Sequence, residues 1–343
     1  MMHREWSRWL KGFTALGAAV VLLALPVVGS PQDNTLVVKK IAAGPTLDGT
    51  MKPLWQQATP LAVKLSGGKN LPGGSTGVTL RALQDGEKIY FLAQWNDATK
   101  SERRSPYQKQ ADGTWKQLKD DNDKGGDNNQ YYEDKFAMIW AIKSPGIEKS
   151  GCFAGCHMGE TKPYGNKYLP AGETGDIWHW KGVRTGTVGQ IDDQYLDDTK
   201  YDKEKSPDAG RKSDKRDGGG YNDNKLVDGK PQWALKDNKP APPYWILDNE
   251  KAPFDDSKYK TGDEVPGILV APFTGDRGEL PAQATWENGV WTLEWSRKLV
   301  TGSPTDVQFD DLKKKYAFGV AVFDNAQVRH AFHPGARFLT FGE

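Results

Sequence analysis

Past residue 30, short runs of alternating apolar residues bounded by Gly, Pro, Asn or Asp recur along the chain, with no long apolar stretch at helical spacing. The pattern predicts a mainly β fold. Strands are expected at Val78–Leu83, Lys88–Trp95, Lys135–Ile142, Ile177–Arg184, Gly267–Val270, Val290–Arg297 and Tyr316–Phe323. In the second of these, Ile89, Phe91, Ala93 and Trp95 alternate with Tyr90 and Leu92, so both faces are apolar. A strand of that kind lies between two layers, as in a sandwich that carries something on its outer face. Gln84-Asp85-Gly86-Glu87 and Glu287-Asn288-Gly289 predict hairpin turns, because Asn-Gly tolerates the positive φ angles of tight primed turns.

Two segments, 97–134 and 196–239, are poor in core-forming residues and read as solvated surface insertions, the second with Lys, Asp and Gly runs around 212–220. No repeat period emerges, so residues 30–343 are expected to form one domain with elaborated loops. Ahead of it, Arg4, Arg8 and Lys11 precede an uncharged apolar run from Phe13 to Val28, which Pro26, Gly29 and Ser30 then break. This is the layout of a secretory signal, with cleavage after Gly29. The run is short for a spanning helix, which needs roughly 20 residues. Left uncleaved, it would tether the domain to the outer face of the inner membrane. The expected location is the periplasm.

Charge narrows the partners. Lys plus Arg (46) nearly balance Asp plus Glu (45), so no overall basic stripe suits a phosphate backbone, and nucleic acid is not expected as a partner. Apolar content of 37% suits a globular protein. No Ser-His-Asp grouping, phosphate loop or paired-carboxylate site argues for hydrolysis or group transfer.

The chemistry concentrates in Gly151-Cys152-Phe153-Ala154-Gly155-Cys156-His157, which holds both cysteines of the chain. Two thiols four positions apart with a histidine directly after the second resemble a haem c attachment site. The common form has two residues between the cysteines and this one has three. In such a site each thiol adds to one haem vinyl group, and the adjacent imidazole is held at the iron as proximal ligand. Gly151 and Gly155 let the backbone fold tightly against a flat macrocycle. A Cys152–Cys156 disulfide, free thiols and a zinc site are the competing readings. Zinc lacks a second Cys/His pair at its usual spacing, and a disulfide leaves His157 without a purpose.

Thr46-Leu47-Asp48-Gly49 leading to Trp55, then Val78–Asp85, Ile89–Trp95 with Asp97, Asp176-Ile177-Trp178-His179-Trp180-Lys181, Gly289–Arg297 and Phe318–Asn325 together resemble the haem-binding domain of the ethylbenzene dehydrogenase gamma-subunit family. The likeness spans nearly the whole mature chain. It implies a β-sandwich related to DOMON and type 9 carbohydrate-binding modules, with long polar loop insertions here. It also implies one haem and an electron-transfer role beside type II molybdoenzymes, among them nitrate, chlorate and selenate reductases, nitrite oxidoreductase and hydrocarbon dehydrogenases. The gamma subunits hold haem b without thioethers, between a Met and a Lys. Here the cysteine-histidine motif stands near the place of that Met, and the segment that carries the Lys reads Val328-Arg329-His330-Ala331-Phe332-His333. A single covalent haem c held between His157 and His330 follows, with His333, Met158 and Met138 as alternative ligands and a second, non-covalent haem b left open.

The remaining candidates have plainer readings. His179, between two tryptophans on a strand, is expected to be a hydrogen-bonded structural residue, Met138 a core residue, and His333 part of an exposed turn at Pro334. Buried packing is the expected use of the 11 tryptophans left once the segment with Trp6 and Trp9 is cleaved off. Two functions stand at this level. One is a periplasmic c-type cytochrome without substrate chemistry of its own, exchanging electrons with molybdopterin/iron-sulfur oxidoreductase subunits or other periplasmic cytochromes. The other is an extracytoplasmic carbohydrate-binding or scaffolding module with a Cys152–Cys156 disulfide.

Overall fold

Eleven main strands carry the fold: β1 (Thr35–Lys40), β2 (Leu61–Ser66), β3 (Ser75–Gln84), β4 (Lys88–Asn96), β5 (Lys135–Lys143), β6 (Thr174–Lys181), β7 (Asp192–Leu196), β8 (Ala282–Glu287), β9 (Val290–Lys298), β10 (Tyr316–Phe323) and β11 (Arg337–Phe341). They belong to a computed structural model that describes residues 34–121, 130–156, 167–207 and 209–342. The N-terminal apolar run, His157 and Met158 lie outside the described residues. Among the described residues no helix is long and apolar enough to cross a membrane.

One layer runs β7-β6-β5-β10 and the other β2-β3-β4-β9-β8, each antiparallel throughout. β11 extends β10, and β1 lies parallel to both β11 and β3, so the two layers join along one side. The sandwich closes on an aromatic core. Phe91, Trp95, Trp291 and Trp295 from one layer meet Phe136, Trp140, Trp178 and Trp180 from the other. Phe91 stacks on Trp295 at 5.1 Å, Trp95 on Phe136 at 5.4 Å, and Trp140 meets Trp178 at 4.9 Å between centroids. Such offset and tilted pairs add to what their buried area contributes. The tryptophans are therefore mostly packing residues, and none of those described is exposed.

The second face of β4 is also covered, as its two-sided pattern requires. Tyr90 and Leu92 pack with Trp55. The Thr46–Gly49 run wraps buried Glu294 of β9: its carboxylate accepts the Asp48 and Gly49 N–H groups at 2.8 and 2.7 Å and Trp55 Nε1 at 2.6 Å. Both predicted hairpins form. In the second, Asn288 and Gly289 have φ of 52° and 80°. Gly289→Ala is expected to cost about 1–2 kcal/mol through the left-handed backbone alone, since a Cβ there meets nothing closer than 3.7 Å; a urea midpoint checks it.

All seven expected strands are present, though the fourth runs Thr174–Lys181, a few residues earlier than its sequence pattern suggested. The insertions differ from the solvated loops expected. Tyr107–Lys109 of the first pairs with Glu264–Val265 and with Trp115–Gln117, and Gly218–Asp223 of the second pairs with Ile268–Thr274. Tyr107 and Trp115 form a small core of their own with Ala234, Tyr259 and Val265. A few isolated aromatics suffice there because the partners come from distant segments.

Candidate functional site

On the outer face of β5, β6 and β10, two short helices dock, α1 (Pro145–Ser150) and α2 (Phe153–Cys156). Ser144 caps α1 by accepting the Ile147 N–H at 3.1 Å, and Pro145 occupies the first turn, where its missing N–H costs nothing. Two strand glycines make the docking possible. A Cβ on Gly319 would stand 2.3 Å from the Cys152 nitrogen, and one on Gly175 would stand 2.6 Å from Ile147 Cδ1. Gly151, at φ 54°, turns the chain between the helices against Gly335. Cys152 is thereby buried beside Ile139, Ile177 and Ala317. Cys156 closes α2.

Beside Cys152 the outer face opens into a cleft of about 220 Å³ with a narrow extension toward the cysteine. Its floor is apolar and low: Ala137 and Ile139 of β5, Ile177 of β6, Gly319 and Ala321 of β10. His179 and His330 line both parts. The ring of Phe323 lies against both imidazoles, with centroids 5.5 Å from His179 and 4.7 Å from His330. Each histidine has Nδ1 at a fixed acceptor, Gln194 Oε1 at 3.2 Å for His179 and the Val328 carbonyl at 2.7 Å for His330. With Nδ1 as the donor, Nε2 would be the nitrogen that carries the lone pair. His179 Nε2 is buried without a hydrogen-bond partner. Burial, reinforced by Lys181, Arg211, Lys135 and Arg184, holds the His179 imidazole well below its usual pKa, hence neutral.

The remaining wall is basic: Lys135, Lys167, Arg184 and Arg211. Lys135 is buried, donates to the Gln327 carbonyl at 2.8 Å and stands 3.9 Å from the Phe323 ring centroid. Burial pushes its ammonium well below the usual lysine range, Arg184 adds to the shift, and Glu133 opposes it. Glu133 is fully buried. Burial would raise its carboxyl, yet Arg184, Arg104 and Lys135 hold it below the ordinary value. It accepts Arg184 Nε at 2.5 Å and the backbone N–H groups of Val183 and Arg184. The cleft therefore combines an apolar floor, two imidazoles, of which that of His179 is neutral, and a basic wall.

A family model described as ethylbenzene dehydrogenase matches residues 52–335. The chain belongs to the ethylbenzene dehydrogenase family. Membership relates it to electron-transfer subunits of molybdoenzymes, a non-catalytic kind of subunit whose partners are oxidoreductases. No curated protein matches the chain significantly. Among solved structures it is similar to a family 9 carbohydrate-binding module from Caldicellulosiruptor kristjanssonii, seen in complex with glucose and with cellotriose. Each likeness has 8% identity and a TM-score of 0.35, covering 90% of this chain and 95% of the module.

Of the residues singled out in the sequence of this ethylbenzene dehydrogenase relative, Cys152 and His330 line one cleft despite their separation along the chain. His333 stands apart from it: Nδ1 bonds the Gly335 carbonyl at 3.0 Å and Nε2 accepts from Arg337 at 2.6 Å, so the turn uses both nitrogens. Met138 is 1% exposed and belongs to the aromatic core, and it also borders the narrow extension beside Cys152. His179 is hydrogen-bonded, as expected of a structural residue, and it also lines the cleft. Its alternation was the available signal: on β6 it shares a face with Ile177 and Lys181, opposite Trp178 and Trp180.

Proposed function

We propose that the chain is an exported c-type cytochrome that carries one haem in this cleft and passes single electrons to or from a molybdopterin/iron-sulfur oxidoreductase or another periplasmic cytochrome. The observation that carries the reading is that Cys152 and His330 line the same cleft. The donor set suits the group. Thiols at Cys152 and Cys156 would hold the macrocycle, and His157 and His330 would be its iron ligands, with His179 as the alternative to His330. Haem would supply one-electron exchange at its iron. The apolar floor excludes water from the macrocycle face. The basic residues Lys135, Lys167, Arg184 and Arg211 would meet the anionic propionates, and for the two buried cations such a partner offsets desolvation. The Val328 carbonyl fixes which nitrogen of His330 faces the cleft.

Among the described residues no tryptophan is exposed, so a sugar platform of the kind the alternative reading needs would not be built from tryptophan there. The test is expression of the full chain with a periplasmic haem-attachment system. The mature protein is expected to be heavier by one haem and to keep peroxidase activity on a denaturing gel. A mass equal to the bare chain minus two hydrogens would replace this reading with the disulfide. Haem that is present but lost on denaturation would indicate a non-covalent haem b.

A further inference from the structure

Beneath the cleft floor, on the inner face of the same strands, Asp176 of β6, Asp193 of β7 and Asp306 in the segment after β9 converge. One carboxylate oxygen from each lies within 4.8 Å of the others. Their exposures are 0%, 0% and 2%. Asp214 and Glu279 stand close enough to add to the negative field. The cation that meets the group is Arg297, 3.1 Å from Asp176 Oδ2 and 3.9 Å from Asp306 Oδ2. One guanidinium does not neutralise five acids.

The hydrogen bonds are divided unevenly. Asp176 Oδ2 accepts from Trp178 Nε1, Arg297 Nη1 and the Val307 N–H, and Asp306 Oδ2 accepts from Thr301 Oγ1. Asp176 Oδ1, Asp306 Oδ1 and both oxygens of fully buried Asp193 have no hydrogen-bond partner. An ionised carboxylate buried in that state is costly. Two remedies exist, protons or a metal ion. The other buried acidic trio, Asp97, Asp134 and Asp324, is a different case. Both oxygens of its Asp134 are taken, by the N–H groups of Ser101, Trp291 and Asn325.

We infer that Asp176, Asp193 and Asp306 form a calcium site, with Asp214 and Glu279 at its rim. Calcium takes six to eight oxygen ligands at roughly 2.3–2.6 Å, so two oxygens on one ion are separated by no more than about 5 Å. The measured spread fits that limit. The donors are all carboxylate oxygens, with no histidine or cysteine, which selects a hard cation over zinc or copper. Without a cation, burial raises Asp176 to about 8, Glu279 to about 7 and Asp214 to about 6, and it raises Asp193 well above the carboxylate range. The ion would tie the β6–β7 edge of one layer to the segment that follows β9 of the other. This site does not depend on the haem reading.

Trp178 donates to Asp176, which places an indole sensitiser beside the site. The full chain, dialysed against EDTA and titrated with terbium under tryptophan excitation, is expected to show saturable emission that calcium displaces. Calcium at about a hundredfold its dissociation constant should raise Tm by roughly 5 °C. Asp193→Asn should weaken calcium at least tenfold, whereas Asp97→Asn should leave it unchanged. Should Asp193→Asn not fold, calcium counted on the intact chain by native mass spectrometry decides instead. Emission that calcium does not displace, a Tm indifferent to calcium at pH 7.5, or full affinity in Asp193→Asn overturns the site. In that event the acids share protons.

Discussion

Replacing Asp192 by alanine is expected to lower stability by about 3–5 kcal/mol, the usual cost of leaving a buried charge without its partner. Asp192 is fully buried on β7 and accepts from the ammonium of Lys181, itself 0% exposed, from Arg277 Nε at 2.6 Å and Nη2 at 3.1 Å, and from the Tyr221 hydroxyl at 3.1 Å. Burial alone would raise its carboxyl, but Lys181 and Arg277 outweigh that and hold it below the usual carboxylate range. A depressed folded pKa contributes stability that is present above the unfolded value near 3.9 and lost as pH falls through the folded one. The difference between parent and variant should therefore be full at pH 7 and shrink only in strong acid. Urea midpoints at pH 7, with an unchanged m-value, measure it. A loss below about 1 kcal/mol would mean that water reaches Lys181 when Asp192 is gone. The triad also tethers the second insertion, through Tyr221, to the strand that carries His179.

In the haem-loaded protein, His330→Ala is expected to convert the ferric iron from low spin to high spin and to open the ferrous iron to carbon monoxide. On the proposed reading, His330 is the cleft imidazole whose Nδ1 is held by a backbone carbonyl, which would assign Nε2 to the iron. His333→Ala should leave the spectrum unchanged, because Gly335 and Arg337 occupy that ring. Absorption and electron paramagnetic resonance spectra read both outcomes. If His330→Ala stays low spin and His179→Ala does not, the distal ligand moves to β6. If neither variant changes the iron, neither imidazole is its ligand.

The strands were legible because each buries a face that alternates with period two. The paired apolar faces of Lys88–Trp95 implied a layer on each side, and Trp55 supplies the second. Where the apolar signal is carried by single residues, as at Tyr107 and Trp115, the segment read as solvated loop. Its partners at Tyr259 and Val265 are too distant in sequence to enter any local pattern. The same limit governed the site. Local order singled out Gly151–His157 as a unit of chemistry, since thiol, thiol and imidazole fall within residues 152–157 of the sequence. His179 read as structural because its nearest sequence neighbours are core tryptophans.

The sequence by itself determined the fold class, both hairpin turns and the cysteine-histidine motif, because alternation, turn chemistry and short-range spacing are local properties. Only the tertiary structure decided which side chains share a cleft. Gly319 and Gly175 leave room for the helix pair to dock, and the long return from β10 to β11 brings His330 beside Cys152 and His179. It also gathered Asp176, Asp193 and Asp306 from two strands and a distant loop. Convergence of that kind depends on how the sheet folds over itself, and burial assigns a cost to each unpaired charge only once that closure has removed the water.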